Sequence, residues 1–94
     1  MKRFVVVVLL AACTTPPPVV SPADADRMHV AIAELQRGRD LLIAKCGGCH
    51  DVPIPDAETH AGWPPRLDDM GQRAGLVGPE RHLIEQYLLG MDRR

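Results

Sequence analysis

Cys46-Gly47-Gly48-Cys49-His50 is the stretch that most restricts what this chain can become. Two thiols separated by two residues and followed at once by an imidazole form the attachment pattern for a c-type haem. The spacing suits that chemistry. Two sulfurs must reach two vinyl edges of one porphyrin while the next side chain turns beneath the ring toward iron. Gly47 and Gly48 carry no Cβ, so the backbone can pass close to the macrocycle. The same five residues also occur in dithiol and zinc sites, and the surrounding sequence has to separate the three.

A chain of 94 residues has room for one small domain. Its aromatic residues are only Phe4, Trp63 and Tyr87. Domains this short bury a limited fraction of their surface and commonly rely on a staple such as a disulfide, a metal or a cofactor. Three cysteines cannot all pair with one another. If Cys46 and Cys49 hold haem, Cys13 is left, and its own surroundings explain it.

Met1-Lys2-Arg3 is followed by Phe4-Val5-Val6-Val7-Val8-Leu9-Leu10-Ala11-Ala12 and then Cys13. A basic start and a short apolar run ending in small residues form an export signal. Nine apolar residues fall well short of the roughly 20 that a spanning helix needs. Leu10-Ala11-Ala12-Cys13 resembles the bacterial lipobox, in which the cysteine thiol receives diacylglycerol and becomes the mature N-terminus. Acyl chains contribute about 0.8 kcal/mol per buried methylene, so more than one chain makes a stable anchor. Behind it, Thr14-Thr15-Pro16-Pro17-Pro18-Val19-Val20-Ser21-Pro22-Ala23 reads as an extended, semi-rigid tether. The expected organisation is a signal peptide over 1–12, a lipidated cysteine and tether over 13–23, and a folded head over 24–94. Loss of Lys2 and Arg3 leaves nine basic against twelve acidic side chains, a formal charge of −3, which argues against a nucleic-acid partner. The expected location is the periplasmic side of a bacterial membrane, the outer membrane before the inner, since Thr14 after the cysteine is compatible with it.

Ser21-Pro22 offers a cap and a proline at the first helical position, with Asp24 and Asp26 where the helix dipole favours negative charge. The pattern predicts a helix from Ser21 or Ala23 through Cys46. Ile32, Leu35, Leu42 and Cys46 fall near one face, and Arg27, Glu34, Arg37 and Asp40 lie largely off it. Gly38 interrupts that helix at a cost of about 1 kcal/mol relative to alanine. Either another backbone comes close there or the glycine is an incidental surface residue.

The spacing of Gly38, Leu42, Cys46, Cys49 and His50 resembles the first helix and haem motif of class I cytochromes c. The resemblance extends over about residues 27 to 91. It implies a small all-α cytochrome c-like fold in which the first and last helices cross over one covalent haem c. The last helix is Pro79 through Gly90, apolar at Leu83, Ile84, Tyr87 and Leu88, with Met91 after it. Tyr87 stands where the family has an aromatic residue packed on the glycine of the first helix, here Gly38.

Between those helices lies a stretch rich in proline and glycine, from Asp51 to Gly78. Pro53 and Pro55 favour extended backbone just after His50. By the resemblance, a proline carbonyl here accepts the Nδ1 hydrogen of the iron-bound histidine and fixes its tautomer. Pro53 and Pro55 are the two candidates. Trp63-Pro64-Pro65-Arg66-Leu67-Asp68-Asp69-Met70-Gly71-Gln72-Arg73-Ala74 predicts a short helix with Trp63, Leu67, Met70 and Ala74 on one face.

His50 is the expected first iron ligand, and several residues compete to be the second. On an unbroken helix Met28 and His29 stand roughly 25 Å from Cys46. His82 falls off the apolar stripe of the last helix, and Met91 sits at its end. His60 remains within reach, because ten extended residues span up to about 33–36 Å. Met70 is the favoured ligand, on the same face as Trp63 and Leu67 and placed as in small cytochromes with a tryptophan seven residues before the methionine. Methionine is also a good core filler, which is the competing role for Met70. A thioether favours ferrous iron and raises the potential relative to two histidines. Arg66 and Arg73 match the geometry of a haem propionate, or serve as solvated helix charges.

These features point to a lipid-anchored monohaem cytochrome that relays single electrons between periplasmic or membrane redox proteins and is not itself an enzyme. The alternatives are a haem-bearing subunit of a larger oxidoreductase, or a five-coordinate or bis-histidine haem protein. A CxxC thiol oxidoreductase would want a strand ahead of the motif, where this chain is helical. A zinc module would draw on Cys46, Cys49, His50 and His60.

Overall fold

Leu35, Gly38, Leu41, Leu42 and Cys46 recur three and four residues apart and make the buried stripe of one helix, α2, Ile32–Cys46. The structure, a computed structural model, describes residues 3–5, 16–47 and 52–92. Cys13, Cys49 and His50 lie outside the described residues, as does most of the expected signal peptide. Ahead of α2 stands α1, Pro22–Met28. A 3-10 turn at Pro55–Ala57 leads to α3, Trp63–Ala74, and α4, Gly78–Gly90, closes the fold. Among the described residues every regular element is helical, and the fold class is all-α. None of these helices is long and apolar enough to cross a membrane.

The helix expected from Ser21 through Cys46 is in fact two. α1 ends in a left-handed turn at His29, with φ 54° and ψ 42°. The amide of Val30 donates to the Ala25 carbonyl at 3.1 Å, and that of His29 donates to Asp26 at 3.3 Å. That pair of bonds is a Schellman closure made without glycine. The start of α1 is as the residues foretell. Ser21 N–H and Oγ–H both donate to Asp24 Oδ2, at 2.9 and 2.8 Å, while the Asp24 amide donates back to Ser21 Oγ at 3.3 Å. Freed from α2, α1 covers the end of α4. Arg27 donates to the Gly90 carbonyl at 3.0 Å, and a Cβ on Gly90 would overlap the Met28 side chain. The expectation that Met28 lies away from Cys46 therefore holds, though its premise of a continuous helix does not.

Ile84, Tyr87, Leu88 and Met91 form the buried side of α4 and its exit. They meet α2 at Gly38. A Cβ there would overlap the Leu83 carbonyl oxygen and stand 3.0 Å from Tyr87 Cβ, so the glycine permits a close backbone crossing. Its contact with Tyr87 is as expected from the spacing. Trp63, Tyr87, Leu35, Leu42, Leu67, Ile84, Leu88 and Met91 are fully buried and constitute most of the core. Met91 is thus a core residue.

The proline-rich segment also departs from expectation. Residues from Pro17 onward are not a free tether. The Pro17 carbonyl accepts from Arg39 Nε and Nη2 at 3.2 and 3.1 Å. The Pro18 carbonyl accepts from the Tyr87 hydroxyl at 2.6 Å, and Val20 is buried in the core.

Candidate functional site

α3 is set by its ends. Pro64 and Pro65 stand in its first turn, and Gly75 closes it with φ 66°, a conformation that suits glycine. Trp63 and Leu67 anchor its inner edge with no exposure. The Trp63 indole N–H donates to the Pro55 carbonyl at 3.0 Å in a buried bond, which ties the start of α3 to the 3-10 turn. Arg81 of α4 pairs with Asp68 and donates to the Pro64 carbonyl at 3.3 Å, which holds α3 against α4.

So held, α3 leaves a cavity of about 430 Å³ between itself and the end of α2. Lys45 and Cys46 line it from α2, and Arg66, Asp69, Met70, Arg73 and Ala74 line it from α3. The five α3 residues recur at i, i+3, i+4, i+7 and i+8, one stripe of that helix. Its size lies within the range of small-molecule and cofactor sites. Cys46 and Met70 are thereby brought to one space, from opposite sides. Met70 is half-buried, at the boundary between core and cavity.

Cys46 is a buried free thiol, and burial pushes its pKa up from the ordinary value. A thiol in exchange chemistry needs the opposite, a lowered pKa in an electropositive, accessible place. Arg66 carries its guanidinium 5.7 Å from the Trp63 ring centroid and pairs with Glu58 at 3.5 Å. Arg73 pairs with Asp69 at 3.4 Å along α3, and Lys45 with Glu80 at 3.8 Å. Three cations thus stand around the cavity, each with a carboxylate neighbour.

The other expected residues lie elsewhere. Trp63 is a core residue behind α3 and does not line the cavity, which it reaches only through Arg66. Pro53 and Pro55 are both buried, and the Pro55 carbonyl is taken by Trp63. His60 is exposed, 3.5 Å from Asp92 at the far end of α4, and is not part of the cavity wall. Met28 and His82 share a different cavity of about 480 Å³ with Leu89 and Gly90. Lys45 and Asp69 are wall residues not singled out in the sequence. Lys45 precedes Cys46, and Asp69 repeats with Arg66 and Arg73 along α3, which is the pattern that marks them. The chain matches no family model, no curated protein and no solved structure in comparisons with known proteins.

Proposed function

We propose that the chain is a lipid-anchored monohaem c-type cytochrome that carries single electrons between redox proteins on the periplasmic face of a bacterial membrane. The observation that carries this reading is that Cys46, the first residue of the CxxCH pentapeptide, shares one cavity with Met70. The Gly38–Tyr87 crossing of α2 and α4 supports the cytochrome c-like arrangement.

The residues at the cavity fit a haem. Cys46 presents a buried thiol at the wall, placed where it could be joined to a haem vinyl group. Cys49 would form the second thioether, His50 and Met70 would hold the iron, and Arg66 and Arg73 would pair with the propionates, since guanidinium pairs well with carboxylate. Pro53 or Pro55 would offer the carbonyl that orients His50, the Pro55 carbonyl already accepting one bond from the Trp63 indole. When bound, haem supplies a one-electron iron couple.

The protein's part is to hold that couple steady. Cys46 and Cys49 would tether the ring covalently while His50 and Met70 would hold the iron, so that little need rearrange when the charge changes. Trp63 and Leu67 form a dry backing to α3. A thioether from Met70 favours the ferrous state relative to a second imidazole. Were His50 and Met70 both to hold the iron, the residues would favour electron transfer over substrate binding. His60 on Asp92 is poorly placed to make the site bis-histidine, and the raised Cys46 pKa weighs against a dithiol enzyme. The visible spectrum of the full-length protein, oxidised and reduced, tests the reading. Low-spin c-type bands that sharpen on reduction are expected; a featureless spectrum contradicts it.

A further inference from the structure

Ten residues, Thr14 to Ala23, follow Cys13, and their composition suggests a spacer that stands the head off the membrane. The contacts of that segment contradict this use. Arg39 of α2 grips the Pro17 carbonyl with two donors, and Tyr87 of α4 donates to the next carbonyl, that of Pro18. Val20 then drops into the core. Both helices of the Gly38 crossing therefore hold the same strap. Pro16 and Val19 face outward, Val19 with 74% exposure, so the strap shows an apolar outer edge next to the expected anchor.

We propose that residues 17–20 are a docked strap and that, through it, the lipid anchor seats the α2–α4 crossing against the bilayer surface. This rests on lipidation of Cys13. Only Thr14, Thr15 and Pro16 then lie between the anchor and the strap. Four Cα steps from Cys13 to Pro17 reach at most about 14 Å, whereas nine free steps to Pro22 would reach about 30 Å. Arg39 stands seven residues before Cys46 on α2, about 10 Å along the axis. The end of α2 that lines the cavity is thus held closer to the anchor than a free spacer would hold it. Val19 and Pro16 meet the lipid headgroups, and a partner carried by the same membrane is the class this geometry serves.

The test uses the full-length lipidated holoprotein in vesicles of phosphatidylethanolamine and phosphatidylglycerol. A protease that cuts ahead of valine is added, and release of the haem-bearing head is timed. The wild-type strap resists cleavage at Val19 and Val20. The double variant Arg39→Ala with Tyr87→Phe, which keeps the ring on Gly38, releases the head at least about tenfold faster. Wild type cut as fast as the double variant overturns the strap. Neutron reflectometry on a supported bilayer of the same lipids gives the height of the head. Wild type lies within about 14 Å of the headgroups. Six residues of glycine and serine inserted between Thr15 and Pro16, ahead of the docked carbonyls, should raise the head yet leave protease resistance unchanged. A head that stands about 30 Å out in wild type overturns the seating. Wild-type protein that never joins the vesicles overturns the anchor and the seating together, while protease resistance in solution still reports whether the strap is docked.

Discussion

The two sides of α2 differ in how they are filled. Toward α4 the helix is closed: Gly38 lets two backbones approach, and Tyr87, Ile84 and Leu88 have no exposure. Toward α3 it is open, with a cavity of about 430 Å³ between Cys46 and Met70. The closed side is complete with the chain's own side chains. The open side brings together a cysteine, a methionine and three cations around a space that these residues do not fill. That contrast puts a packed framework on one face of α2 and a lined cavity, the proposed haem site, on the other, and substitutions on each should report on different properties.

The largest effect is expected from removing the thiols. Cys46→Ala with Cys49→Ala is expected to abolish haem attachment entirely. The open side then loses its filling, and the head should lose cooperative unfolding as followed by circular dichroism. A doubly substituted head that unfolds as cooperatively as wild type would show that the closed side suffices alone.

Gly38→Val attacks the closed side. A side chain there meets the Leu83 carbonyl, which is backbone and cannot rotate away. Overpacking typically costs about 1–3 kcal/mol, and the expected loss is about 3 kcal/mol, read from urea unfolding. The haem spectrum of the folded fraction should be unchanged. Stability equal to wild type would mean the helices part without penalty.

Met70→Ala attacks the open side and should give the reverse pattern. The low-spin spectrum is lost, carbon monoxide binds the reduced haem, and the potential falls, with less effect on stability than Gly38→Val. His60→Ala should leave spectrum and potential near wild type, because His60 sits exposed beside Asp92. If His60→Ala changes the spectrum and Met70→Ala does not, the second ligand is histidine.

Much of this division was legible in the residues. Prolines and Gly75 mark the ends of α3, and Gly38 with Tyr87 marks the crossing; the one face expected for Trp63, Leu67, Met70 and Ala74 is divided, the first two packing in the core and the last two lining the cavity. Two further features were not. The break at His29 lacks glycine or proline; a histidine adopts the left-handed turn because α1 gains contacts with Gly90 that a continuous helix would forgo. The docking of Pro17 and Pro18 was hidden because local composition describes an extended backbone correctly but is silent on distant donors for its carbonyls. Arg39 and Tyr87 lie 22 and 69 residues away. The second residue of the Trp63 bond, Pro55, is hidden for the same reason.

The smallest expected effect is at Arg66. Its pair with Glu58 is partly exposed, so Arg66→Gln should change stability by less than about 1 kcal/mol. Removing a cation beside the cavity should lower the potential slightly, as seen by redox titration. An unchanged potential would place Arg66 away from the iron site.

The central claim is a covalent haem on the pentapeptide that begins at Cys46. The most direct measurement is the mass of the polypeptide after denaturation in acid and organic solvent. A covalent attachment leaves a chain that keeps the mass of one haem, with the peptide carrying both cysteines bearing it. Haem that partitions away from the polypeptide, or a chain that yields zinc and no haem, would contradict it.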